Sequence, residues 1–117
     1  MDLAHAIARH SGWKLKMRSA ILNEKTLDNV IISSNICCDL GKWLGNEGHL
    51  KYGHLNAYQP LVEIHTEFHR EAGKVAALIN MRQYLEAELQ LSKDAPFSLA
   101  SINVIFAISN LQREIPS

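Results

Sequence analysis

The sequence predicts an all-α protein, an antiparallel four-helix bundle with one short cysteine-bearing helix. Three observations predict it. Apolar residues recur at helical spacing in three long segments. Only three prolines occur, at positions 60, 96 and 116, and the first two stand where helical segments are expected to begin. The one stretch that reads as a strand, "NVIFAI" at 103–108, has no partner strand elsewhere in the chain.

The first helix is expected from about Asp2 to Glu24, because Leu3, Ala6/Ile7, His10, Trp13, Met17 and Ala20/Ile21 share one face. Asp2 suits its N-cap. Residues 25–35 are rich in β-branched and turn-forming types and read as a loop. A short helix follows from about Ile36 to Leu44, capped by Ser34 or Asn35 and ended by Gly45. "GNEGHLKYGHLN" then reads as a second loop. The third helix is expected from Tyr58 to about Leu91, with Pro60 in its first turn. Its stripe is Leu61, Ile64/His65, Phe68/His69, Ala72, Val75/Ala76, Ile79 and Leu85, and Glu63, Glu67, Arg70, Glu71 and Lys74 form a solvated face. "SKDAPF" breaks the chain, and the last helix runs from about Phe97 to Arg113. Its sequence is apolar around most of its circumference, which suits a central helix or a contact with a second copy.

The 117 residues suit one domain spanning 1–117, and 47% apolar content is enough for a core. Twelve basic and twelve acidic side chains cancel, which argues against a nucleic-acid partner. No apolar run is long enough to insert into a membrane. "MDLAHAIARH" lacks the pattern of a signal peptide, so a cytoplasmic location is expected. The two cysteines, Cys37 and Cys38, are neighbours. Adjacent cysteines rarely bridge, so metal binding or thiol reactivity fits better than a disulfide.

Six histidines are present. His5, His49 and His54 fall at polar or loop positions. His10, His65 and His69 fall within core-facing stripes. One buried histidine is usually a hydrogen-bonded structural residue. Three change the balance, because imidazoles packed together leave ring nitrogens short of partners. His65 and His69, four apart, project from one helix face and can share a cation. Zinc takes imidazole and thiolate in tetrahedral sites, and a cysteine at a helix start is favoured as thiolate. Spacing alone does not choose between Cys37 and Cys38, and both also suit small buried apolar groups.

"CDLGKWL" at 38–44, "HTEFH" at 65–69 and "HSGW" at 10–13 together resemble the chemoreceptor zinc-binding domain family. The resemblance spans about residues 5–111. In relatives the cysteine stands two residues before the LGKW run, which selects Cys38. The resemblance implies a zinc site of His10, Cys38, His65 and His69, and a regulatory domain without enzymatic activity. Its output would pass to a signalling partner such as a chemoreceptor or diguanylate cyclase, or through a homodimer. In some relatives oxidants attack the zinc-bound cysteine. Two departures stand out. "GNEG" replaces a segment that often carries an aromatic, and Cys37 adds a second thiol. The sequence has no receptor coiled coil or cyclase, so a stand-alone regulator or a piece of a longer chain is expected. With all four positions filled by protein, activated water has no place on the metal.

Trp13, Trp43 and Phe68 are expected near the site or as core filling. Gly41 is expected to allow a close approach, and Lys42 to sit at the surface or beside the thiolate. The competing readings are a zinc- or thiolate-dependent enzyme and a haem or di-iron bundle. The first needs a base beside the thiol. The di-iron form of the second needs repeated Glu-x-x-His motifs, which are absent.

Overall fold

A computed structural model describes residues 1–116, and all its regular elements are α-helices. They are α1 (Leu3–Ser11), α2 (Trp13–Leu22), α3 (Asn29–Ser33), α4 (Asp39–Leu44), α5 (Glu47–Tyr52), α6 (Tyr58–Asn80), α7 (Tyr84–Gln90) and α8 (Pro96–Glu114). No strand occurs among the described residues.

The first expected helix forms one course in two pieces. The Asp2 carboxylate caps α1 by accepting the His5 N–H at 3.0 Å. Gly12 interrupts the regular pattern but keeps a right-handed backbone, and Lys16 still donates to its carbonyl at 3.3 Å. Leu3, Ala6, His10, Met17 and Ala20 point inward, as the periodicity demands.

The expected loop at 25–35 contains helix α3. The Asp28 carboxylate accepts the Ile31 N–H at 3.2 Å, and Ile32 is buried. A cap and one buried aliphatic outweigh the poor intrinsic propensity of "NVIIS". The short cysteine-bearing helix begins later than expected, at Asp39. Its N-cap is Cys38 rather than Ser34 or Asn35. Gly45 ends it as anticipated. The second expected loop contains α5, held where the Trp43 ring lies against Gly48.

The third expected helix breaks at Met81–Gln83. Arg82 takes a left-handed backbone, φ 59°. Asn80 turns its amide onto the Leu27 peptide, donating and accepting at 2.7 Å each way. Beyond the break the helix phase is reset. Ala87 and Leu91 face the core, whereas Leu85, expected in the stripe, is 77% exposed. Glu71, expected on the solvated face, is buried and pairs with Lys74 at 3.0 Å.

The helix α6 lies at the centre. Helix α8 runs antiparallel to it: the Ala57 N–H, just before α6, donates to Glu114 at the end of α8, and Phe68 meets Phe97 near its start. The α1–α2 course also runs antiparallel to α8, with Leu3 near Ile115 and Lys14 near Ser98. Residues 27–38 run back along α6. Leu27 binds Asn80, Ser33 lies against Gly73, and Asn35 donates to Thr66. A Cβ on Gly73 would stand 2.5 Å from the Ser33 Cβ, so glycine is what permits this approach.

Candidate metal centre

The helix α6 supplies His65 and His69 one turn apart, with ring centroids 4.6 Å from each other. His10, on the last turn of α1, meets both at 5.2 and 5.8 Å. Cys38, at the N-cap of α4, brings its Sγ to 3.2 Å from His65 Nε2. One ligand atom from each of these four residues lies within 4.8 Å of all the others. The three imidazoles are 1–4% exposed and Cys38 is half-buried. The structure thus brings together the four residues that the sequence singled out. Cys37 is exposed. His5, His49 and His54 are exposed as well.

Backbone carbonyls orient two of the rings. His10 Nδ1 donates to the Ala6 carbonyl at 2.8 Å, and His69 Nδ1 donates to the Ile32 carbonyl at 2.8 Å. A carbonyl only accepts, so each ring carries its proton on Nδ1 and presents a bare Nε2 lone pair. Metal-binding histidines are commonly fixed in this way. His69 Nε2 lies 3.0 Å from His65 Nε2. His10 Nε2 is buried without any hydrogen-bond partner. Leaving such a nitrogen bare costs about 1–3 kcal/mol. A cation at the meeting point would remove that cost, so the donor set fits a metal ion. Three imidazoles and one thiol suit zinc.

Electrostatics prepare the rings. Burial lowers the pKa of His10, His65 and His69. His65 is pushed down to about 3, first by burial and then by the two neighbouring histidines. All three therefore stay neutral at physiological pH, as ligands must be. Cys38 differs from expectation. The Gly41 N–H donates to its sulfur at 3.3 Å, and Arg9 adds a favourable charge. Burial outweighs both and raises the thiol pKa. Without a cation Cys38 remains a thiol, because a six-residue helix start does not compensate for lost solvent.

Of the aromatics, Phe68 packs on His10 and His69 at 5.2 and 5.3 Å. Trp43 packs on Tyr52 and Gly48 instead, and Trp13 lies under the Lys16 ammonium. Lys42 stays exposed. Gly41 makes the expected close approach: a Cβ there would fall 1.6 Å from the Asn35 carbonyl oxygen. The Tyr58 hydroxyl donates to the Leu44 carbonyl and ties the end of α4 to the start of α6. The orienting carbonyls of Ala6 and Ile32 were not legible in the sequence, because backbone groups carry no residue-type signal.

A family model described as the chemoreceptor zinc-binding domain matches residues 10–76, more than half of the chain. The chain belongs to the chemoreceptor zinc-binding domain family. The match begins at His10 and encloses all four clustered residues. Domains of this family bind zinc and are regulatory rather than enzymatic. No curated protein and no solved structure matches the chain. No helix among the described residues is long and apolar enough to cross a membrane.

Proposed function

We propose that this zinc-binding domain holds one zinc ion through His10, Cys38, His65 and His69 and reports zinc occupancy to a signalling partner. The observation that carries the reading is the bare, buried His10 Nε2 among three other potential ligand atoms. Bound zinc would act as a structural cross-link among α1, α4 and α6. The four courses then form an antiparallel four-helix bundle in which α3 and α4 make up one broken member, with residues 1–117 as one domain. No enzymatic step is assigned: a closed site leaves no position for activated water.

Cys38 is the most accessible ligand and sits on the shortest course, so it is also the point where an oxidant would act. A cytoplasmic chemoreceptor or diguanylate cyclase suits the partner role. A second copy is the other partner. Leu99, Ile102 and Phe106 line the outward face of α8 and are 48–64% exposed, which supports a homodimer through that helix.

Metal analysis of protein purified without added metal is expected to find one zinc per chain; iron or a coloured sample would overturn the reading. Cys38→Ser is expected to lower zinc affinity at least tenfold and Cys37→Ser to leave it within twofold. Equal losses would sink the ligand assignment. Mild hypochlorite is expected to release the zinc, and zinc content unchanged after Cys38 has oxidised would remove the redox role. Sedimentation is expected to show a dimer that Phe106→Glu dissociates; a monomer in both cases would exclude the α8 contact.

A further inference from the structure

The residue that holds Cys38 against α6 is not itself a candidate ligand. Asn35 Nδ2 donates to Thr66 Oγ1 at 2.9 Å. Thr66 Oγ1 in turn donates to the Val62 carbonyl at 2.9 Å, so its rotor is fixed and a lone pair faces Asn35. Thr66 directly follows His65. The other side of Asn35 faces α4: its carbonyl lies under Gly41, where no side chain fits, and is 3.9 Å from Cys38 Sγ. Asn35 is thus wedged between the helix that carries Cys38 and the helix that carries His65.

We propose that the Asn35–Thr66 hydrogen bond is a latch that sets how readily the Cys38 segment lifts off α6, and hence how readily its sulfur is released or attacked. Asn35 and Thr66 are positioning residues. The bond joins the cysteine segment to the first turn beyond His65, so a local opening that frees the sulfur must break it. The same strand of chain is pinned a second time, by Leu27 and Asn80. That far clamp need not open when residues 35–38 move. The two clamps therefore have separable roles, one local to the sulfur and one serving the whole strap.

This inference deepens the proposed zinc reading, but its test does not depend on zinc. In metal-free Cys37→Ser protein the remaining thiol is Cys38, and its alkylation by iodoacetamide reports opening. Thr66→Val keeps the side-chain shape and deletes the acceptor; Thr66→Ser keeps the acceptor. The hydrogen bond is solvent-exposed, so its loss is expected to raise the alkylation rate by about two- to fivefold. Thr66→Ser is expected to restore the parental rate, and Asn35→Ala combined with Thr66→Val to give no more than Thr66→Val alone. Asn80→Ala, which destabilises the fold elsewhere, is expected to leave the rate within error. An unchanged rate in Thr66→Val, failed rescue by serine, or an equal rise in Asn80→Ala would each overturn the latch. With zinc bound, the same series is expected to order the rates of zinc transfer to a chelator. If no variant binds zinc but alkylation follows the predicted order, the metal reading fails and the latch stands.

Discussion

Removing zinc is expected to lower the thermal midpoint by about 10–20 °C when the metal had been present at a thousand times its dissociation constant. Such saturation adds about 4 kcal/mol of stability, and a domain of this size loses several degrees per kcal/mol. The metal-free protein should itself lose stability in acid. In the metal-free fold His65 has a pKa near 3, against 6.5 for the free side chain. The unfolded chain therefore takes up a proton below pH 6.5 that the folded chain refuses. Stability is full above 6.5 and declines as pH falls toward 3, by on the order of 4 kcal/mol from His65 alone. His10 and His69 are shifted in the same direction and add to the decline. Cys38 acts at the other end: its raised pKa lets the unfolded thiol ionise first, so stability falls again in alkaline solution. Differential scanning between about pH 4 and 10, with and without a chelator, checks both limbs. A metal-free midpoint flat across that range would mean the imidazoles are not buried together. Calorimetric titration near pH 7 is expected to show about one proton released per zinc, from Cys38 and not from the histidines.

Gly41→Ala is expected to be the most damaging substitution of a residue that contacts no metal. Its Cβ would stand 1.6 Å from the Asn35 oxygen and 2.7 Å from the carbonyl carbon. Backbone cannot yield that much locally, so α4 must lift from the Asn35 turn and from the His65 ring, which is 3.2 Å from the same point. The sulfur of Cys38 moves with it. Zinc affinity is expected to fall tenfold or more, with a stability loss of about 2–4 kcal/mol. Alanine is otherwise the better helix former by about 1 kcal/mol, so intrinsic propensity predicts a gain and packing a loss. Chelator competition and thermal melts decide between them. Retained affinity would show that α4 does not rest on Asn35.

The residues of the centre were unusually legible. His10, His65 and His69 each occupy a position that helical periodicity turns inward, and an imidazole in a core stripe is a conspicuous anomaly. The four-residue step from His65 to His69 needs only one helix to become a shared face. Cys38 was less legible. Spacing left it level with Cys37, and family likeness separated them. Position at the N-cap of α4 explains the difference: Cys38 turns inward with extended backbone while Cys37 stays outside.

Helix boundaries were the weaker part. Residues 29–33 and 47–52 carry poor local signals and become helical through buried contacts: Ile32 against α6, and Gly48 under Trp43. Conversely, an unbroken apolar period from Tyr58 suggested one helix to Leu91. Asn80 and Arg82 end it early, because the Asn80 amide is engaged by Leu27, 53 residues away in sequence.

The sequence by itself determined that helices form, which faces turn inward, and that three imidazoles share the core. Those properties follow from periods of three to four residues and from side-chain chemistry. Tertiary structure alone decided which carbonyls orient the histidine rings, and that burial holds Cys38 as a thiol until a cation arrives. Each of these depends on groups brought together from separate parts of the chain, and no local pattern encodes such distances.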